Sequence, residues 1–193
     1  MARDSTGTRE RILKAAYERL YREGFARVSV DAIAEAAGVT KKTLYYHFDS
    51  KDALVGAVLE HQHEHAVKLI HGWADTSTRD PARFVTGLFD ELGRWASKPR
   101  WLGSGYTRIT MELADLPGHP ARAAARRHKR IVEAWLGERF AELKVCEPPE
   151  TARRIMLLIE GTMALILIHG DPAYAKSAGA AALLLIGRGR KRQ

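Results

Sequence analysis

The sequence predicts an all-α protein of about nine helices, and three observations carry the prediction. No stretch alternates apolar and polar residues with period two between turn signals. Alanine is abundant, and apolar residues recur three and four apart between clusters of helix breakers. The expected organisation is an N-terminal domain of three helices over residues 1–55 and a helical C-terminal domain over residues 56–193.

Each element has its own signals. After Thr8, the residues Ile12, Leu13, Ala16 and Leu20 keep one helical stripe, and Gly24 stands at the stop. Ser29 caps a short second helix that turns Ile33 and Ala37 inward and halts at Gly38. Thr40 caps a third, with Leu44 and Phe48 four apart on its buried side. Ser50 caps a fourth that runs through Leu54 and Val58. Beyond residue 72 the breakers cluster at 72–79, 99–105, 116–120, 147–149 and 170–172. They leave helical stretches near 81–97, 105–115, 120–144, 150–169 and 173–187.

The 193 residues carry 31 Lys and Arg against 23 Asp and Glu, a formal charge of +8. A basic chain invites a nucleic-acid reading, yet residues 1–60 hold ten basic against nine acidic residues. The excess lies further on, at Arg122, Arg126, Arg127, Lys129 and Arg130, and in the tail Arg188, Arg190, Lys191 and Arg192. At 46% apolar and 28% charged the chain is neither disordered nor fibrous. One cysteine, Cys146, excludes an internal disulfide and reads as an inert thiol. The opening residues lack the apolar core of a signal peptide, and residues 155–168 fall short of a membrane span, so a cytoplasmic protein is expected.

The informative stretch runs from Ser29 to Lys51, SVDAIAEAAGVTKKTLYYHFDSK: a short helix, a tight turn at Gly38-Val39 and a second short helix. This is the arrangement of a helix-turn-helix. Small Ala34 lets the two helices approach, and Gly38 supplies the positive φ of the turn. Ile33, Ala37, Val39, Leu44 and Phe48 make a miniature core, leaving Lys41, Lys42, Thr43, Tyr45, Tyr46 and His47 on outer faces. The first turn of a recognition helix meets base edges, so Thr40, Lys41 and Lys42 are the candidates for direct readout. Thr43, Tyr45 and His47 are candidates for phosphate contact, and Lys51 sits where a cation and a helix N-terminus face phosphate together. Ser29 and Tyr46 complete the expected DNA-binding set. No acid occurs from Val39 through Phe48.

On these residues the chain resembles the TetR family of transcriptional regulators. The likeness covers residues 8 to about 60: Thr8-Arg9-Glu10-Arg11-Ile12-Leu13-Lys14-Ala15-Ala16, then Gly24-Phe25, Ser29-Val30, Ile33-Ala34, Ala37-Gly38-Val39, Thr43-Leu44-Tyr45-Tyr46-His47-Phe48, Ser50-Lys51 and Leu54. The resemblance implies base contacts from Thr40 to Lys42 and phosphate contacts from Thr43, Tyr45, His47 and Lys51. It also implies a homodimer formed through the last two helices, and an effector cavity enclosed by the helices after the DNA-binding group.

The C-terminal two-thirds supplies candidates for both roles. Residues 151–169 are apolar nearly all round, and a helix of that kind must be covered on every side. The next helix is rich in small residues that permit close approach. A two-fold four-helix interface is therefore expected through Ile155, Ile159, Met163, Ile166, Ala178, Gly179, Ala182 and Leu183. Aromatic and Met residues at helical spacing are usually core. The resemblance moves the expectation toward a cavity for a largely apolar or aromatic effector. Its candidates are Phe89, Trp101, Tyr106, Arg108, Met111, Glu112, Trp135, Met163 and His169.

Other signals point to less. His61, His63 and His65 lie on one helix, but two ligands on a face do not make a metal site, and a polar helix face accounts for them. Arg122, Arg126 and Arg130 stack along a face expected to be solvated, and the basic tail is expected to serve solubility. No phosphate-loop, dinucleotide or nucleophile-elbow pattern occurs, which argues against catalysis. No catalytic residue, metal or cofactor is therefore expected. The expected function is a ligand-responsive repressor that binds a palindromic operator as a homodimer and is released by its effector. The alternative is a helical small-molecule-binding protein or enzyme with an accessory DNA-binding domain.

Overall fold

The computed structural model describes residues 2–187, and over this span the chain is helical with no strand. The helices are α1 (Ala2–Glu23), α2 (Val30–Ala36), α3 (Lys41–His47), α4 (Lys51–His71), α5 (Pro81–Ala96), α6 (Gly105–Glu112), α7 (Pro120–Glu142), α8 (Pro148–His169) and α9 (Ala173–Gly187). No helix among the described residues is long and apolar enough to cross a membrane. The tail residues Arg188, Arg190, Lys191 and Arg192 lie outside the described residues.

The expected caps form. Oγ of Ser29 accepts from the Ala32 amide at 3.1 Å, Oγ1 of Thr40 from Thr43 at 3.1 Å, and Oγ of Ser50 from Ala53 at 3.0 Å. Later helices are started by Asp80 before Pro81, by Ser104, and by Asp171 through the Ala173 amide. Two helix starts differ from expectation: α1 begins at Ala2, upstream of Thr8, and α8 begins at Pro148. A proline at the first helical position loses no hydrogen bond, because that amide has no partner inside the helix.

The helices gather into two compact units. The first contains the residues through Glu64 together with Ser104–His128; the second contains His65–Gly103 and the residues from Lys129 onward. In the first unit Ile12, Leu13, Ala16 and Leu20 of α1 are buried with Ile33 and Ala34 of α2, Leu44 of α3, and Leu54, Val55, Val58 and Leu59 of α4. It also takes in α6 and the start of α7, both beyond residue 55.

The second unit is built on α5, whose residues Phe84, Leu88, Phe89 and Leu92 are fully or almost fully buried against α7, α8 and α9. This core takes up most of the residues expected at a subunit interface. Ile155, Ile159, Met163, Ile166, Ala178, Gly179 and Ala182 are buried within the protomer. Of the eight, Leu183 alone is exposed, at the margin. The small residues of α9 serve internal packing, since a Cβ on Gly179 would stand 3.2 Å from Cβ of Phe89. The apolar side chains left exposed belong to the opposite faces: Leu157 at 69%, Ile168 at 72% and Leu184 at 67%, with Leu165 and Leu167 beside them.

Candidate nucleic-acid interface

The turn between α2 and α3 follows from Gly38, which adopts φ +64°. The Val39 amide donates to Ala34 O at 2.9 Å and the Gly38 amide to Glu35 O at 3.0 Å. This is the paired closure of a Schellman motif, and it needs a left-handed residue at that position. Ile33, Ala34, Ala37, Leu44 and Phe48 are buried beneath the turn, and the Arg9 guanidinium of α1 lies 5.1 Å from the Phe48 ring centre. The two short helices are thus fixed by an apolar core, a turn and two serine or threonine caps.

Packing Leu44 and Phe48 inward decides what α3 presents. Lys41, Lys42, Tyr45 and Tyr46 are exposed, with Tyr46 at 82%; Thr43 and His47 are half-buried. The His47 ring stands edge-on to Tyr46 at 5.3 Å. Thr40 and Thr43 share a hydrogen bond between their hydroxyls at 2.9 Å, besides the backbone cap. Ser29 is occupied in capping α2.

Two of the expected lysine contacts have partners within the chain. Nζ of Lys41 donates to Oδ2 of Asp31 at 2.9 Å, and this carboxylate raises the Lys41 pKa. The acid-free run from Val39 to Phe48 is therefore not an acid-free surface, because α2 brings Asp31 to it. Nζ of Lys51 donates to Phe25 O at 2.8 Å and lies 4.2 Å from the Phe25 ring centre. Burial lowers its pKa. Lys51 is a brace at the start of α4, anchored on the turn after α1.

The expected effector residues divide between the units. In the first, the Tyr106 hydroxyl donates to Leu59 O at 2.8 Å and its ring stacks on His128 at 3.9 Å. Burial, and secondarily the Tyr17 phenol, pushes its pKa far up. Nη1 of Arg108 donates to Tyr21 O at 2.5 Å. Oε2 of Glu112 accepts from the Phe25 amide at 2.7 Å and the Ala26 amide at 3.3 Å. Arg108 and Glu112 thus tie α6 to the end of α1. Met111 is exposed.

In the second unit Phe89 and Met163 belong to the core, and the half-buried Trp101 meets Trp95 edge-on at 5.3 Å. Trp135 stacks on His71 at 4.3 Å, and His169 is exposed against Tyr174. Trp101 Nε1 and His71 Nε2 are buried without a hydrogen-bond partner. A groove of about 690 Å³ runs beside Ala134, Gly137, Ala141 and Pro149, and one of about 300 Å³ beside Trp73 and Trp95; none of the nine residues lines either.

The remaining sequence signals also have places. His63 and His128 face each other with their Nδ1 atoms 3.2 Å apart. Among the described residues no group of three or more His, Cys, Asp or Glu gathers to hold a metal. On the face of Arg122, Arg126 and Arg130 the last two are exposed and Arg122 donates to the Leu113 and Ala114 carbonyls, while beside it Arg127 pairs with Glu60 and Lys129 with Glu160. Sequence inspection missed Asp31, Arg9 and the α6 ties. Those partners are ten to 87 residues apart, and no local spacing signals them.

Residues 12–58 match the family model described as bacterial regulatory proteins, tetR family. The chain is 27% identical over 189 residues to an uncharacterised HTH-type transcriptional regulator, YwcC of Bacillus subtilis, spanning 88% of this chain and 81% of that one. It is 46% identical over 89 residues to the HTH-type transcriptional regulator TtgR of Pseudomonas putida, covering 44% and 42% of the two chains. Its fold matches that of SCO4454, a TetR-family transcriptional regulator of Streptomyces coelicolor, with a TM-score of 0.81 at 24% identity over 95% and 96% of the chains.

Proposed function

We propose that the chain is a DNA-binding transcriptional regulator of the TetR type rather than an enzyme, on the family-model match over residues 12–58 and the regulators it resembles, and that it is a ligand-responsive repressor acting in the cytoplasm. In this reading a homodimer sets two copies of α3 into successive major grooves of a palindromic operator. The observation that carries it is the capped, Gly38-turned pair of helices that leaves Lys42, Tyr45 and Tyr46 outward. Lys42 reads a base edge, and Thr43, Tyr45 and His47 fix the register on phosphates. The functional division then falls near residue 55, with regulation assigned to the residues beyond it.

The exposed apolar faces of α8 and α9 support the dimer. Leu157, Leu165, Ile168 and Leu184, with the exposed Gly161 and Ala164 between them, form a surface that water covers poorly. The aromatic core of the second unit supports a small, largely apolar or aromatic effector. The unpartnered Trp101 Nε1 and His71 Nε2 are the polar atoms such a ligand would satisfy. Release from DNA needs only that the effector favour one conformation over the other by on the order of 1–3 kcal/mol.

The test is selection from a pool of random duplexes by the purified protein. The expected result is an inverted repeat with half-site centres about 34–36 Å apart, or a multiple of that. Recovery of no shared sequence would overturn the reading.

A further inference from the structure

The two lysines that open α3 are not equivalent. Lys42 is exposed, whereas the Lys41 ammonium is held 2.9 Å from the Asp31 carboxylate, across the turn from the first turn of α2. Both members of the pair are more than half exposed, at 53% and 66%, so the pair lies on the surface that a duplex would approach. Ser29 already caps α2, and Asp31 adds a favourable but modest charge near that helix N-terminus. That helix role does not require a cation as partner.

We infer that Asp31 is a specificity-determining residue, holding Lys41 so that it does not count toward binding on indiscriminate DNA. The inference rests on the reading of α3 as the recognition helix. Binding to unmatched sequence is governed by charge: each lysine set against a phosphate releases condensed counterions and adds to affinity regardless of sequence. A lysine closed on a carboxylate offers little net charge to a phosphate. An exposed pair is nevertheless weakly held. A base edge with acceptors in the right place, such as guanine O6 and N7, can draw the ammonium away. Asp31 therefore lowers affinity for every sequence that lacks such an edge and leaves the matched site favoured. It acts through Lys41 as a positioning residue and needs no contact with DNA.

The experiment measures binding of a random-sequence duplex by fluorescence anisotropy between roughly 50 and 200 mM salt. The proteins are the full chain and its variants Asp31→Asn, Asp31→Glu, Lys41→Ala, Lys42→Ala and Asp31→Asn/Lys41→Ala. Asp31→Asn should tighten binding and steepen the salt dependence by about 0.9 in log–log slope for each recognition helix, roughly a 3.5-fold greater loss over that salt range. Asp31→Glu should behave as the parent, and Lys41→Ala should change little. Lys42→Ala, at a base-reading position, should leave the slope on this duplex close to that of the parent. In the Lys41→Ala background Asp31→Asn should give no gain. An equal gain in both backgrounds would mean that Asp31 repels DNA directly, and would overturn the inference, as would no gain in either. If the folded parent protein binds no duplex at all, the recognition reading itself falls.

Discussion

Glu112→Ala removes the tie between α6 and the turn after α1, and its consequences can be worked from the geometry. The carboxylate receives two backbone amides, Phe25 at 2.7 Å and Ala26 at 3.3 Å, and only the first is short. A hydrogen bond to a charged group contributes about 1.5–3 kcal/mol net when well shielded. This one lies at an exposed site, where water recovers part of the loss, so the expected destabilisation is about 1–2 kcal/mol. In a chain of this size each kcal/mol lowers Tm by roughly 2–4 °C. Thermal unfolding followed by circular dichroism should therefore move down by about 2–8 °C. Amide exchange should accelerate first at Phe25 and Ala26. Glu112→Gln keeps one acceptor and should show an intermediate loss. Gly24 adds a second constraint at the same place: it holds φ +89°, and a Cβ there would stand 3.0 Å from both carboxylate oxygens. Gly24→Ala should be destabilising for both reasons. An unchanged melting curve in Glu112→Ala, with unchanged exchange at the two amides, would refute the tie.

Lys42→Ala should weaken binding to the selected operator by about 1–3 kcal/mol while sparing unmatched sequence more; equal loss on all sequences would make Lys42 a phosphate contact. Leu157→Glu, on the exposed face of α8, should shift the protein toward monomer in sedimentation, and unchanged sedimentation would remove that face from the interface. The Tyr106 phenol sits above its ordinary value of 10.0 because burial disfavours the phenolate. Its contribution to stability is complete below pH 10 and lost as pH rises beyond it, since the unfolded chain ionises first. Urea midpoints should fall on that side, and Tyr106→Phe should flatten the fall.

Local chemistry makes much of this protein legible. Ser29, Thr40 and Ser50 mark helix starts because a side-chain oxygen satisfies an orphan amide three residues on, and the structure forms all three bonds. Gly38 marks the turn because the left-handed region costs it nothing. The breaker clusters divide the rest into the stretches that become α5 to α9. Helix α1 starts upstream of the expected Thr8 because no breaker stands between Ala2 and Thr8 strong enough to stop it.

What local chemistry does not show is which face of an apolar helix turns where. Ile155 and Leu157 are equally apolar, yet the first is buried under α5 and α9 while the second is 69% exposed. Gly179 suits a dimer seam or an internal crossing equally, and the Phe89 ring decides for the internal crossing. Arg108 and Glu112 have the polarity expected of ligand contacts, and only their neighbours 87 positions away give them another task.

The sequence by itself determined the helices of the described residues, the caps, the Gly38 turn and the likeness to helix-turn-helix regulators, because each rests on contacts within a few residues or on a motif of fixed spacing. The tertiary structure alone decided that Lys41 is paired, that Lys51 is a brace, and that the small residues of α9 pack inward. The reason is physical: charge and burial are properties of a surface, and a surface is assembled from residues that the chain order does not place together.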